Sequence, residues 1–172
     1  MLTLSLLCHA KSSWADRELE DHDRPLAKRG TKAAGAMGAY IATNGLQPDL
    51  VLCSDAVRTR ATLTLVLPQL GKPPPQVAFD DALYMATPAV LLGRLQKMKS
   101  DARHVMVIGH NPGLHALALE LTGKGNRKDV EALATKFPTA GLAVLTFKAR
   151  KWSDICAGDG KLKLFVTPRQ LP

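Results

Sequence analysis

The sequence is sparing with cysteine and aromatic side chains and has no long apolar run. Its 172 residues include three cysteines, Cys8, Cys53 and Cys156. They are odd in number and form no CxxC pair, which argues against a disulfide framework or a thiolate metal site and for reduced thiols in a cytoplasmic protein. No stretch approaches the roughly 20 apolar residues of a membrane span. The opening Met1–Leu7 has neither a basic region nor a cleavage site, so no secretory signal is expected. Phe, Trp and Tyr together make up 5% of the chain, too few for the stacking platforms of a single-strand nucleic-acid binder.

What is present suits one globular domain spanning residues 1–172. Hydrophobic residues make up 46% and charged residues 22%, and a chain this long buries about two-thirds of its unfolded surface without needing disulfides or metals. The net charge of +8 is unevenly placed. Residues 124–172 carry ten basic and four acidic side chains, against thirteen and eleven in residues 1–123. This excess reads as a solvated face, or one that docks an acidic partner protein, rather than a nucleic-acid site.

Short apolar strands alternate with amphipathic helices. Leu2–Leu7, Leu50–Cys53, Val77–Phe79 and His104–Gly109 read as strands, the last a continuous apolar run suited to burial on both faces. Residues 8–24 read as a long loop. Helices are expected from Pro25 through Ile41, ending at Asn44-Gly45; from a Ser54 cap through Val57, Ala61 and Leu65; from Thr87-Pro88 through Met98; and from Asn111-Pro112 through Leu121. Residues 123–128 read as a mobile loop, and residues 141–147 and 162–166 as two strands forming a hairpin or edge pair. The order implies an α/β fold, a three-layer α/β/α sandwich with a mostly parallel central sheet.

In such folds ligands bind beyond the carboxyl ends of the strands. His9, Lys11 and Ser12 follow the first strand, Arg58 opens the helix after the second, and His110 and Asn111 follow the buried strand. Two histidines could hold a metal, but Asp55 is the one carboxylate in these three segments. A phosphate site fits better: His110 and Asn111 precede a helix N-terminus, which favours anions, and Arg58 offers a planar fork for phosphate oxygens. His22, His104 and His115 have no such placement and read as structural or exposed.

Cys8-His9-Ala10-Lys11-Ser12-Ser13-Trp14 resembles the R-H-A-K-S-x-W opening of the SixA-like phosphohistidine phosphatases, in the histidine phosphatase (phosphoglycerate mutase-like) superfamily. Asp21-His22-Asp23-Arg24-Pro25-Leu26 with Arg29-Gly30 is similar to that group's D-x-D-R-P-L…R-G segment. Pro48–Leu52, Ser54 and Arg58–Thr62 are similar to its P-D-x-V…S-x-A-x-R stretch. Leu83-Tyr84, Val107–Leu114 and Phe137–Gly141 complete the series, which runs in order through residues 1–141. The resemblance implies a phosphoglycerate mutase-like fold and a covalent mechanism. His9 would attack phosphorus, His110 and Arg58 would stabilise the transition state, and Lys11, Ser12 and Asn111 would help bind the phosphate. No metal or cofactor is implied. The implied partner is a phosphorylated protein of histidine phosphotransfer type, or phosphate itself, with no nucleic acid and no membrane.

The sequence departs from the pattern at two places. Cys8 stands where the family has an arginine before the nucleophilic histidine. Losing one preorganised donor costs roughly 3–4 kcal/mol of transition-state stabilisation, so weakened activity is expected, and Lys11 compensates only in part. Met85 stands where relatives often carry a glutamate, leaving Asp80 or Asp81 as stand-ins for a general acid. The alternatives are an impaired relative that binds phosphate or a phosphoprotein without turnover, and a phosphatase of small phosphoesters.

Overall fold

The computed structural model describes residues 1–172. Seven strands and five helices alternate: β1 (Leu2–Cys8), α1 (Lys28–Thr43), β2 (Leu50–Ser54), α2 (Val57–Val66), β3 (Gln76–Asp80), α3 (Pro88–Gln96), β4 (His104–Gly109), α4 (Gly113–Leu121), β5 (Thr122–Gly125), α5 (Arg127–Thr135), β6 (Leu142–Phe147) and β7 (Gly160–Val166). The strands form one sheet in the order β3-β2-β4-β1-β6-β7-β5. Only β6 runs against the others, because it pairs antiparallel with both β1 and β7.

The layering follows from connection handedness. β1-α1-β2 and β2-α2-β3 step one way across the sheet, and β3-α3-β4 steps back. Right-handed crossovers therefore put α3 on the opposite face from α1 and α2. Two apolar clusters reflect this. Leu7, Val51, Met106 and Ile108 pack on one face with Met37 and Ile41 of α1 and with Leu63 and Val66 of α2. Leu4, Leu6, Val105 and Val107 pack on the other with Leu91 and Leu95 of α3 and with Leu114, Leu117 and Leu121 of α4. No helix is long and apolar enough to cross a membrane.

Several local expectations need correction. Residues 123–128 are not a loop: they supply most of β5 and start α5. The glycines there serve close packing, since a Cβ on Gly123 would lie 1.8 Å from the carbonyl oxygen of Gly158. Asn126 then caps α5 by accepting from Asp129 N–H. The two late strands pair with each other as expected, but β6 sits inside the sheet against β1, and β5 forms the edge. The first helix begins at Lys28, leaving Pro25 in the preceding segment.

The second helix turns a different face inward from the apolar one. Val57 is exposed, whereas Arg58, Thr59, Thr62, Leu63 and Val66 are buried. The Thr59 hydroxyl donates to the Ser54 carbonyl at 2.7 Å, and the Thr62 hydroxyl accepts from Ala10 N–H at 3.0 Å. This face holds the ends of β1 and β2 in place. Apolar periodicity misses it because buried hydroxyls with partners replace methyl groups.

Candidate active site

Neighbouring strands β2, β4 and β1 end side by side, with Cys53 opposite Ile108 and Cys8 opposite Gly109. The chain leaves β1 and β4 in opposite directions across the sheet, which opens a crevice between them. His9 and His110 are the residues immediately past these two strands. His9 N–H donates to the Gly109 carbonyl at 3.1 Å, and the two imidazole centroids are 5.3 Å apart.

The His9 ring has a defined tautomer. Its Nδ1 lies 2.7 Å from the Ala10 carbonyl oxygen, and a carbonyl can only accept. Nδ1 therefore carries the proton, and Nε2 keeps its lone pair in the neutral ring. Burial, helped by the nearby positive charges of Arg58 and Arg24, lowers the His9 pKa from 6.5 to about 4. The ring is thus uncharged at neutral pH, with Nε2 able to act as a nucleophile.

His110 is buried deeper. Its Nε2 lies 2.7 Å from the Ser54 hydroxyl, while its Nδ1 is buried without a partner. The Ser54 oxygen also accepts from Ala56 N–H, which leaves its own proton free to be donated to His110 Nε2. In the tautomer where Ser54 donates, Nδ1–H is a donor for an incoming acceptor. Burial, then the charges of His9 and Arg58, lower the His110 pKa to about 3. Ser54 is not the cap of α2, a place taken by Ala56.

Arg58 is 2% exposed. Its Nη1 donates to the Asp21 carbonyl at 2.6 Å and its Nη2 to Asp21 Oδ2 at 3.0 Å, while Nε is buried without a partner. Asp21 also accepts from Arg24 through Oδ1, at 3.1 Å to Nε and 2.9 Å to Nη2, and from the Tyr84 hydroxyl through Oδ2. These donors hold its carboxyl well below the usual carboxylate range, with the Tyr84 hydrogen bond the strongest influence. Arg24 Nη1 donates to Ser12 Oγ at 2.9 Å, and its guanidinium stacks on Trp14 at 3.5 Å. The Tyr84 ring stands 5.3 Å from His110 and 4.9 Å from His22.

His9, Arg58 and His110 thus come together, and Ser12 joins them through Arg24. Asn111 is engaged elsewhere: its amide donates to the Phe137 carbonyl and to Cys8 Sγ, and its oxygen accepts from His115 N–H in the first turn of α4. The carbonyl of Lys11 packs against Gly30, where a Cβ would lie 2.1 Å from it. Cys8 is buried with Leu4 and Leu6 in the apolar cluster. Burial pushes its thiol up to about 12, so it contributes no charge. Met85, at φ 49°, brings its sulfur to 3.9 Å from Arg58 Nη2. Asp80 pairs with Arg94 at 3.1 Å. No cluster of three or more His, Cys, Asp or Glu side chains is arranged to hold a metal ion.

Sequence reasoning gave no chemistry to Asp21, Arg24, Ser54 or Tyr84. All four lie in segments that carry the family resemblance. Asp21 and Arg24 sit in the middle of a connection, and Tyr84 follows a short turn, so the strand-end rule does not reach them.

Known proteins resemble this chain in sequence and fold. The profile of the histidine phosphatase superfamily (branch 1) matches residues 4–84. An uncharacterised Mycobacterium leprae protein is 36% identical over 94% of this chain and 99% of its own. Among solved structures, a proposed phosphohistidine phosphatase SixA from Nakamurella multipartitia superposes with a TM-score of 0.82 at 30% identity, covering 97% of this chain and 96% of its own. A second, from Agrobacterium tumefaciens, gives 0.81 at 28% identity, covering 97% and 98%.

Proposed function

The chain belongs to the histidine phosphatase superfamily, in its SixA-like group, and on that premise we propose that this phosphatase hydrolyses phosphohistidine in a cytoplasmic partner protein, with residues 1–172 acting as one domain. The observation that carries the reading is the pair of neutral imidazoles, His9 half-buried and His110 buried, 5.3 Å apart and close to the Arg58 charge. Phosphoryl transfer needs positioning and charge stabilisation more than covalent machinery.

His9 Nε2 attacks phosphorus, and the bond from phosphorus to the substrate imidazole breaks. A substrate ring protonated on its second nitrogen leaves as neutral imidazole and takes no proton from the enzyme. Phosphorylated His9 keeps Nδ1–H on the Ala10 carbonyl. Water then attacks phosphorus, the bond to Nε2 breaks with its electron pair returning to His9, and orthophosphate carries away the water's protons. Arg58 and His110 Nδ1–H stabilise the phosphoryl oxygens in both steps.

A phosphoramidate is favoured over an ester because the carboxyl groups placed here are committed elsewhere. Asp21 is ionised, Asp80 is paired with Arg94, and Met85 occupies the position where an acid would serve an alkoxide leaving group. Cys8 favours a second reading, an impaired relative that binds phosphate or a phosphoprotein without turning it over, because the neutral thiol supplies none of an arginine's charge. Incubation with a phosphohistidine-bearing phosphotransfer protein tests the proposal. Loss of the phosphoryl group above the spontaneous rate, with an aryl phosphate hydrolysed at least a hundredfold more slowly, is expected. Intact phosphate binding without turnover selects the second reading, and preferential ester hydrolysis makes the protein a small-molecule phosphatase.

A further inference from the structure

We propose that the Asp21 carboxylate is an exchangeable internal anion: it bridges Arg58 and Arg24 in this structure, and a phosphoryl group takes its place on both, making Arg24 a second phosphoryl-binding arginine. This deepens the phosphatase reading and rests on it for the identity of the incoming group.

The argument begins with an asymmetry of burial. The Arg58 and Arg24 side chains are 3% and 7% exposed, whereas that of Asp21 is 45% exposed. Both cations are fixed in the protein, and the anion that joins them lies on the solvent side. Buried guanidiniums need an anion, so Asp21 can leave readily only when another anion replaces it. The turn that carries it, Asp21–Asp23, contains no buried residue, and its backbone carbonyl on Arg58 Nη1 can stay in place while the carboxylate leaves.

The hydrogen bonds show which edges would be released. Asp21 Oδ1 takes the Nε and Nη2 edge of Arg24, and Oδ2 takes Arg58 Nη2 and the Tyr84 hydroxyl. Two oxygens of one phosphoryl group have nearly the same spacing as those of a carboxylate and suit the same forks. Arg24 stays in place during the exchange. Its Nη1 remains on Ser12 and Ser13, and its guanidinium remains stacked on Trp14. The charge balance favours the exchange as well, because a single carboxylate opposes two guanidiniums and a phosphoryl dianion matches them better. Arg58 Nε, buried without a partner, marks a donor that Asp21 leaves unsatisfied. Cys8 offers no cation, and Arg24 is the other buried guanidinium beside Arg58.

A permanent positioning role for Asp21 gives the opposite sign in one experiment. Inorganic phosphate is titrated calorimetrically into the full chain as wild type, Asp21→Asn, Arg24→Ala and Arg24→Lys, with thermal melts to confirm folding. We expect Asp21→Asn to bind phosphate at least fivefold more tightly than wild type. Arg24→Ala should bind at least tenfold more weakly, with Arg24→Lys in between. Weaker binding by Asp21→Asn overturns the proposal, as does wild-type affinity in folded Arg24→Ala or absence of phosphate binding in all four proteins. If Arg24→Ala does not fold, the sign of the Asp21→Asn effect decides. The titration needs no turnover, so failure to hydrolyse phosphohistidine with these affinities intact strikes the substrate assignment alone.

Discussion

The Ser54 hydroxyl oxygen lies 2.7 Å from Nε2 of His110, and this contact leaves Nδ1 as the ring nitrogen without a partner. Ser54→Ala removes the partner of a buried ring nitrogen, at a cost of about 1–3 kcal/mol, and frees the tautomer. Turnover should fall tenfold or more while the far-ultraviolet circular dichroism spectrum stays unchanged. Steady-state kinetics of the variant checks this, and wild-type turnover would show that Ser54 does not orient His110.

The two histidines of the site, His9 and His110, set the expected pH response. His9 has its pKa lowered to about 4 and His110 to about 3 by burial, against about 6.5 in the unfolded chain. At neutral pH both are neutral in either state, and their contribution to stability is fully present. Below about 6.5 the unfolded chain binds protons that the folded protein refuses. Stability is therefore lost progressively from 6.5 towards 4 and below. Thermal melts across that range should show a falling midpoint, less steep in His110→Phe.

The same shift governs activity. kcat/KM reports groups of the free enzyme, so its acid limb should fall near pH 4, where His9 protonates. Between pH 8 and about 5 His9 adds no limb of its own, so any change there follows protonation of the substrate's phosphohistidine ring, after subtraction of spontaneous decay. An acid limb centred near 6.5 would mean that His9 is hydrated like an ordinary histidine.

Cys8→Arg restores the cation that relatives place before the nucleophile. It should raise turnover at least tenfold. It should also lower the melting temperature, because position 8 is buried with Leu4 and Leu6 and a guanidinium there has to be desolvated. An unchanged rate in a folded variant would show that the cations already present do the whole task.

Much of this was legible in the sequence, for specific reasons. The run Val105-Met106-Val107-Ile108 announces a strand buried on both faces, and the motif after it places His110 at the crevice. Thr87-Pro88 announces the start of α3, where Thr87 accepts from Val90 N–H. What escaped notice depends on partners distant in the chain. Gly123 and Gly125 look like loop residues until Gly158 and Leu162 are brought against them. Thr59 and Thr62 look like surface residues until the ends of β1 and β2 fall beneath them. Asp21 and Arg24 gain meaning only when their turn meets Arg58, 37 residues further on.

The edge strand offers a separate check on this account of glycine. Gly123→Ala would force a Cβ towards the Gly158 carbonyl and should destabilise the fold by about 1–3 kcal/mol. Lys124→Ala, at an exposed neighbouring position, should have no measurable effect. Chemical denaturation of the two variants compares them directly, and equal stabilities would contradict the close-packing role.

The central claim is that His9 carries the phosphoryl group. A labelled phosphohistidine phosphotransfer protein is mixed with the enzyme, quenched in alkali within one turnover, and the enzyme's peptides are analysed by mass spectrometry. The account predicts label on the peptide containing His9, at Nε2, and neither label nor turnover in His9→Ala. Undiminished turnover by His9→Ala would contradict it.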